Sequence, residues 1–493
     1  MTLTTGDRSG ARLEAVRSEL VEALGEAHVS DRRLDRLAYG HDAWPVALKA
    51  AATPRWQPDL VAWPGSTEQV AAAVRIAAEA HVPVVPVGGG SGIVGGALAV
   101  RGGIALDLLR MGRVIEIDEL SGLVRVEAGA IGANLERALA ARGLTTGHLP
   151  QSIRSSTVGG WIAHRAAGIA STKYGKIESI LRAVRVVLAD GRVLDTVPAP
   201  ASASGPMLHA LFLGAEGTLG IVTEAVLAVE PLPAERRWAS YGFAVDASGP
   251  EGAFVRALEV VRRVVRRGYR PAIVRAYDPA EAQGILERTE RALAACPPGC
   301  ALLIMGAEGE APVVDAELGA LAEEAAARGA VDLGPDPAAA WYGHRFDTSR
   351  LLEAVRRTGW IGDALEVAAP WRALPEVYRA MRSAMIDACG PDGAVVGHLS
   401  HAYPDGGNLY LVFRTRAGTD GETPERYGAV LEAALGACLA SGGTVSHHHG
   451  IGLGKQRWFE QELGAVGLDL LRRQKAAFDP LGILNPGKLG DVA

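Results

Sequence analysis

Residues 82–96, VPVVPVGGGSGIVGG, constrain the fold of this chain more than any other stretch. The Val/Pro run reads as a short buried strand, and it enters a run of glycines directly. Gly90-Ser-Gly92-Ile-Val-Gly95 fits G-x-G-x-x-G letter by letter. The dinucleotide fingerprint, however, needs that loop to open a helix whose N-terminus faces the pyrophosphate. Here Gly102-Gly103 and a further apolar strand follow, so no helix and no Rossmann unit are expected. G-K-[S/T] is missing from the run as well, which excludes a P-loop. What is left is a strand feeding consecutive glycines, whose amides can converge on an anion because the backbone can come close. The alternative is a surface turn.

Around that loop the periodicities predict a helix at 11–27, with Leu13, Val16, Leu20 and Leu24 at helical spacing. A second helix starts at Ser66, where Ser66 and Gln69 can form a capping box. Strands are expected at 82–87, 103–108, 113–117 and 123–127, then a helix at 133–142 closed by Gly143. Asp190-Gly191 marks a hairpin between 184–189 and 192–194, and a strand at 220–229 precedes Pro231 and Pro233. Beyond residue 236 the pattern alternates. Strands are read at 238–245, 272–276 and 302–307, and helices at 251–267 and 313–328, which suggests an α+β unit with an antiparallel sheet. From Glu425 the chain reads as mostly helical, broken by a histidine segment.

A chain of 493 residues is too long for one ordinary core. Three units are expected: 1–235 with a core from about 55, 236–424, and 425–493. Hydrophobic residues make up 48%, enough for ample burial, and the net charge of −6 argues against nucleic acid as a partner. Four cysteines are too few for a disulfide framework, and Cys296-Pro-Pro-Gly-Cys300 has no second pair at zinc spacing, so it reads as a turn. The first residues carry no apolar signal core and no apolar run reaches membrane-spanning length. A soluble, cytoplasmic homodimer acting on a small molecule is expected.

The order of motifs is more specific. The glycine loop is followed by VEAG (126–129), GHLPQSIRSSTVGGW (147–161), RAAGIASTKYGK (165–176) and GAEGTLGIVTEA (214–225). This succession resembles the FAD-binding domain of the vanillyl-alcohol oxidase/p-cresol methylhydroxylase (PCMH) superfamily. The fold implied is α+β: a two-subdomain PCMH-type FAD-binding domain, an antiparallel-sheet α/β substrate (cap) domain and a helical C-terminal segment closing the active site. The cofactor implied is FAD, non-covalent because the first glycine loop holds no histidine. Pro86, Gly88, Gly89, Gly90, Ser91 and Gly92 would cradle the pyrophosphate. Pro150, Ser152, Ser155, Ser156, Thr157, Gly159, Gly160, Ala163, Arg165 and Ala166 would line the flavin and its ribityl chain. Glu216, Gly217, Thr218, Gly220, Ile221 and Val222 would meet the adenosine side.

Two branches of that superfamily compete. The D-2-hydroxy-acid dehydrogenases carry G-H-x-G-D-G-N-L-H and E-H-G-I-G, which supply metal ligands. Here residues 400–413 read SHAYPDGGNLYLVF, with Tyr410 at the second histidine position, and His448 stands where the glutamate would. One imidazole and the carboxylate are lost together, which makes a poor divalent site although His398 and His401 remain nearby, so no metal is assigned. The other branch, alkylglycerone-phosphate synthase (alkyl-dihydroxyacetone-phosphate synthase), is resembled over nearly the whole chain, through STVGGW, KYGKIE, VRAYD (274–278), APW (369–371), Tyr410 and SHHHG (446–450). That resemblance implies Tyr410 as the proton-transfer residue, His447, His448 and His449 as the essential cluster, and Arg275 near the flavin. The family's substrate-binding arginine aligns without gaps to Leu352, with Arg350 two residues away and Arg356 and Arg357 a turn beyond. The long N-terminal extension of the ether-lipid enzyme is missing.

The chemistry sets its own demands. Ionising a tyrosine of pKa about 10 at neutral pH costs about 4 kcal/mol, so a neighbouring cation or strong hydrogen bond must offset it. If residues 446–450 are extended, His447 and His449 share a face and His448 points away. The expected activity is an FAD-dependent oxidation at flavin N5 of a small hydroxyl- or amine-bearing substrate. Redox-neutral exchange of acyl for alkyl is the alternative, with metal-assisted dehydrogenation behind it. The bland readings are a core aromatic for Tyr410 and a solvated turn for the histidines.

Overall fold

The computed structural model describes residues 5–50, 54–296, 299–346, 359–417 and 423–490. Arg350, Leu352, Arg356 and Arg357 lie outside them. The N-terminal half holds two main sheets, besides a two-stranded pair of Leu144–Thr145 with Glu230–Pro231. The first has four strands in the order Val29–Ser30, Leu60–Ala62, Ile104–Asp107, Val84–Val87. Its last three run parallel, and their fully buried Val and Leu side chains match the continuous apolar runs of a sheet covered on both faces. The second is a five-stranded antiparallel sheet ordered Val114–Asp118, Leu123–Glu127, Ile221–Ala228, Leu181–Val187, Val193–Asp195.

The glycine run after Val87 stays irregular through residue 103, as a run with no helix-forming stretch must. Helix Thr67–Glu79 is capped by the Ser66 hydroxyl, which accepts from the Gln69 amide at 3.3 Å. The reciprocal half of the box slips by one residue: the Gln69 side chain accepts from the Gly65 amide. Asp190-Gly191 closes the hairpin, with Gly191 at φ 78°.

The C-terminal half is built on one antiparallel sheet of seven strands. Their order is Val331–Asp332, Glu235–Phe243, Ala301–Gly309, Ile273–Tyr277, Ala394–Ala402, Gly406–Arg416, Trp360–Pro370. The period of two in these strands sorts side chains between two destinations. Val274, Val395, Leu399, Leu409, Leu411, Phe413, Leu365 and Val367 join one core with helices Gly249–Arg266, Leu374–Cys389 and Thr423–Ala440. Their neighbours in sequence, Arg275, His398, Tyr410 and Glu366, therefore face the other way.

The tail returns to the N-terminal half. The amide of Val84 donates to Ile483 and that of Asn485 to Val84, which extends the first sheet beside the strand that leads into the glycine loop. Among the described residues no helix is long and apolar enough to cross a membrane. The Cys296–Cys300 stretch is more than a turn, because the two sulfurs are bonded to each other. The two cysteines are four residues apart and lie against Gly242 of the neighbouring strand.

Candidate active site

Register places a polar row on the face of the large sheet opposite that core. Glu366 pairs with Tyr410, Tyr410 with His398, and His398 with Tyr277, each directly opposite across neighbouring strands. The His398 and Tyr410 rings stack at 4.9 Å. His398 Nδ1 lies 2.7 Å from Glu281, so it carries the proton, and Nε2 is left to accept from Arg275 at 3.4 Å. Arg275 is buried, with its guanidinium 4.4 Å above the Trp341 ring, and among the described residues it makes no ion pair. A register shift between Leu399 and Ala402 adds one residue to that strand and carries His401 onto the same face.

Residues 446–452 cross in front of this row, held at both ends by buried glutamates. Glu366 accepts from the Ser446 hydroxyl at 2.7 Å and from the amides of His448 and His449 at 3.1 and 2.6 Å, and it pairs with Lys455. Burial opposes the Glu366 charge, yet His449 and Lys455 beside it hold its carboxyl well below the usual range. Glu216, from the N-terminal half, accepts from the amides of Ile451 and Gly452 at 2.6 and 3.0 Å. Gly450, at φ 84°, packs so closely that a Cβ would meet His164 and Glu216 at 2.6 and 2.7 Å. Neither glutamate stands out in the sequence for this task, since each acts on backbone far away in the chain.

The loop bends here and is not extended, so the histidines do not alternate. His448 is the one that reaches Tyr410, with Nε2 2.6 Å from the phenol oxygen. His449 lies against Glu366, its Nδ1 3.3 Å from the carboxylate. His447 turns away: its Nε2 is 2.9 Å from the Tyr403 hydroxyl, its ring stacks on His401, and its carbonyl accepts from Lys176 at 2.5 Å. Burial, reinforced by neighbouring imidazoles and cations, keeps His401, His447 and His448 well below the ordinary imidazole value. Burial and then Glu366 push the Tyr410 phenol upward, with Arg275 opposing them. The cation that a phenolate would need is therefore outweighed, and Tyr410 stays protonated.

Ring nitrogens of His401, His447 and His448 fall within 4.8 Å of one another, a spacing compatible with a metal ion. Five of the six nitrogens in these rings already make hydrogen bonds, to Ser171, Tyr403, Tyr410 and each other. The set contains no carboxylate.

A cavity of about 700 Å³ joins this face to the glycine loop. Arg275, His401, Tyr410, His448 and His449 line one side, and Pro86 to Gly92 line another. Pro150, Ser152, Ser155, Ser156, Thr157, Gly159, Gly160, Ala163 and Ala166 all reach it, as do Glu216, Gly217, Gly220, Ile221 and Val222. Three expected residues do not. Arg165 adopts φ 52° at the end of helix Val158–His164, which turns its side chain outward to Glu178. The Thr218 hydroxyl closes its own turn on the Ala215 carbonyl. His447 is shielded by its contacts to Tyr403 and His401. Residues without a prior signal also appear, among them Ala43, Pro45, His164, Phe346 and Asp363. Burial raises the Asp363 carboxyl to about 6, while Tyr427 donates to it at 2.6 Å.

The lining suits a long, polar, phosphate-bearing cofactor. Among the described residues, the amides of Gly88, Gly89, Gly90 and Ser91 donate to nothing within the chain. A Cβ on Gly89 would sit 1.6 Å from the Ser155 carbonyl, so the two loops meet only because residue 89 is glycine. His164 adds a buried Nε2 with no partner.

Comparison with known proteins decides the lineage. Residues 58–196 match the FAD binding domain family, and residues 252–489 match the C-terminal domain of FAD linked oxidases. An alkyldihydroxyacetonephosphate synthase of Trypanosoma brucei brucei is 31% identical over 474 residues, 91% of this chain and 75% of that protein. The chain belongs to the vanillyl-alcohol oxidase/p-cresol methylhydroxylase superfamily. Within this superfamily, glycolate oxidase subunit GlcD of Bacillus subtilis (strain 168) is 28% identical over 96% of both chains. A solved alkyldihydroxyacetonephosphate synthase superposes with a TM-score of 0.81 at 25% identity, covering 96% of this chain and 86% of that one. A p-cresol methylhydroxylase structure shares the fold at a TM-score of 0.77 and 19% identity over 99% of this chain and 98% of its own. As in the superfamily, the cofactor is FAD.

Proposed function

We propose that this FAD enzyme oxidises a small substrate bearing a hydroxyl or amine group, with Tyr410 and His448 moving the substrate proton. The observation that carries this reading is the 2.6 Å contact between the Tyr410 oxygen and His448 Nε2, both on the cavity wall. When bound, FAD supplies the two-electron acceptor. The chain supplies everything else at the reacting centre. A neutral His448 accepts the Tyr410 proton as the phenol oxygen takes one from the substrate, which avoids the cost of a free phenolate. Arg275, a buried cation without a carboxylate partner among the described residues, is the seat for negative charge on the substrate. Glu366 and Glu216 hold the histidine loop in place and so fix the distance between His448 and Tyr410. The cofactor is held without a covalent bond, and residues 1–235, 236–424 and 425–493 are taken as the working units.

The second reading is a redox-neutral exchange of acyl for alkyl. It is favoured by the 31% identity to an alkyldihydroxyacetonephosphate synthase across 91% of the chain. Anaerobic mixing of the yellow protein with glycolate, D-lactate or a primary amine separates the two. Bleaching by one of them supports oxidation. Alkyl incorporation from a fatty alcohol into acyl-dihydroxyacetone phosphate, without bleaching, replaces it with exchange. A stoichiometric zinc or manganese whose removal abolishes bleaching would instead favour the metal-assisted dehydrogenase.

A further inference from the structure

The hydrogen bond between Tyr410 and His448 is the first link of a longer chain. His448 Nδ1 lies 2.8 Å from His447 Nδ1, and His447 Nε2 lies 2.9 Å from the Tyr403 hydroxyl. The Tyr403 hydroxyl is 3.4 Å from the Ser171 hydroxyl, which is 2.6 Å from His401 Nδ1. Tyr410 at one end and His401 at the other both line the cavity. The residues come from four separate segments of the chain, and Ser171 belongs to the N-terminal half, so local sequence does not account for their continuity.

The two Nδ1 atoms that face each other fix the proton count. Between two neutral imidazoles only one of the pair can donate, so His447 and His448 must hold opposite tautomers. If Tyr410 donates to His448 Nε2, then His448 Nδ1–H donates to His447, His447 Nε2–H to Tyr403, Tyr403 to Ser171, and Ser171 to His401 Nδ1. The last proton then sits on His401 Nε2. Reversing every bond gives a second arrangement that is equally complete, with the Tyr410 O–H free for the cavity. The arrangement needs all three imidazoles neutral, and burial keeps them so.

We propose that Tyr410, His448, His447, Tyr403, Ser171 and His401 form one proton relay with both ends in the active-site cavity. It rests on the reading of Tyr410 as the proton-transfer group. When the Tyr410 oxygen takes the substrate's proton, its own proton passes to His448, and each following group hands one on. His401 Nε2–H is released to a cavity oxygen, either water or an oxygen of the substrate. No phenolate and no imidazolium is left in the relay when the transfer is complete. The 3.4 Å step between Tyr403 and Ser171 is the longest and is the one that must contract. Tyr403, Ser171 and His447 are positioning residues here, acting through Tyr410 and His401.

The test uses the FAD-loaded protein labelled with 15N-histidine, together with Tyr403→Phe, Ser171→Ala and Ser171→Thr. Two-bond nitrogen–proton spectra should show His447 and His448 as neutral, opposite tautomers at neutral pH. Matching tautomers, or either ring as imidazolium, would overturn the relay without any need for a substrate. With whichever of glycolate, D-lactate, primary amine or acyl-dihydroxyacetone phosphate plus fatty alcohol reacts, Tyr403→Phe and Ser171→Ala should each slow the step roughly 10- to 100-fold. FAD affinity should not change, the double variant should be no slower than either single one, and Ser171→Thr should recover most of the rate. The solvent deuterium isotope effect should shrink when the relay is cut. If Tyr410→Phe is slow while Tyr403→Phe runs at the wild-type rate, the proposed function stands and the relay falls. Wild-type rates in both variants would remove both.

Discussion

Glu366 and Tyr410 face each other across two antiparallel strands, and the same glutamate holds the backbone of the loop that brings His448 to Tyr410. One carboxylate therefore fixes both partners of the proposed proton transfer. Its side chain reaches from the large sheet to the amides of His448 and His449 in the loop between helices Thr423–Ala440 and Gln456–Phe478.

Replacing Glu366 by Gln should be costly. The variant leaves Lys455 buried beside a neutral amide, and uncompensated buried charges of this kind cost about 3–5 kcal/mol. The pH dependence follows from the lowered carboxyl. A group held below its unfolded value of about 4.3 adds stability that is complete above that pH and is lost as pH falls through its folded value. Denaturant midpoints should thus fall at neutral pH in Glu366→Gln, and the difference from wild type should narrow under acid. An unchanged midpoint at neutral pH would count against the role given to Glu366.

His148 gives the opposite kind of test. It is fully buried against Trp161, neither ring nitrogen has a partner among the described residues, and burial lowers it to about 3. The unfolded chain takes up a proton below about 6.5 that the folded chain refuses, so stability drops with falling pH between those values. At pH 5 the loss from this group is about 2 kcal/mol, from about 1.36 kcal/mol per pH unit. His148→Phe should flatten that limb while leaving bound flavin intact. Equal acid limbs in thermal unfolding would show that His148 is reached by water.

Gly89→Ala should yield a folded, colourless protein. The added methyl has no room beside the Ser155 carbonyl, so the loop must swing out of the position where its amides face the cofactor. The visible flavin absorbance of the purified variant reads this directly. In the wild type the same absorbance should pass wholly into the supernatant on acid precipitation, as a non-covalent cofactor requires.

The fold was legible where its causes are local. The strand into glycines, the Asp190-Gly191 turn and the two halves with different patterning each follow from neighbouring residues, and the motif order pointed to the superfamily. Tyr410 and the histidine triplet were legible as a pair, because both interrupt a pattern that would otherwise bind metal. The orientation of the triplet was not. It depends on Gly450 in a left-handed conformation and on Glu366 and Glu216, which act from 84 and 234 residues away in sequence, the differences between their numbers and 450. Arg165 and Thr218 show the converse. They sit inside a binding motif, yet one left-handed residue and one closed turn direct their side chains elsewhere.

The most direct measurement is anaerobic stopped-flow reduction of the bound flavin by whichever substrate bleaches the wild type, compared with Tyr410→Phe. Phe keeps the ring stacked on His398 and removes only the hydroxyl that His448 meets. The account predicts unchanged FAD binding and bleaching slowed by roughly 100- to 10,000-fold, the range that general acid–base catalysis supplies. Bleaching at the wild-type rate in Tyr410→Phe would contradict it.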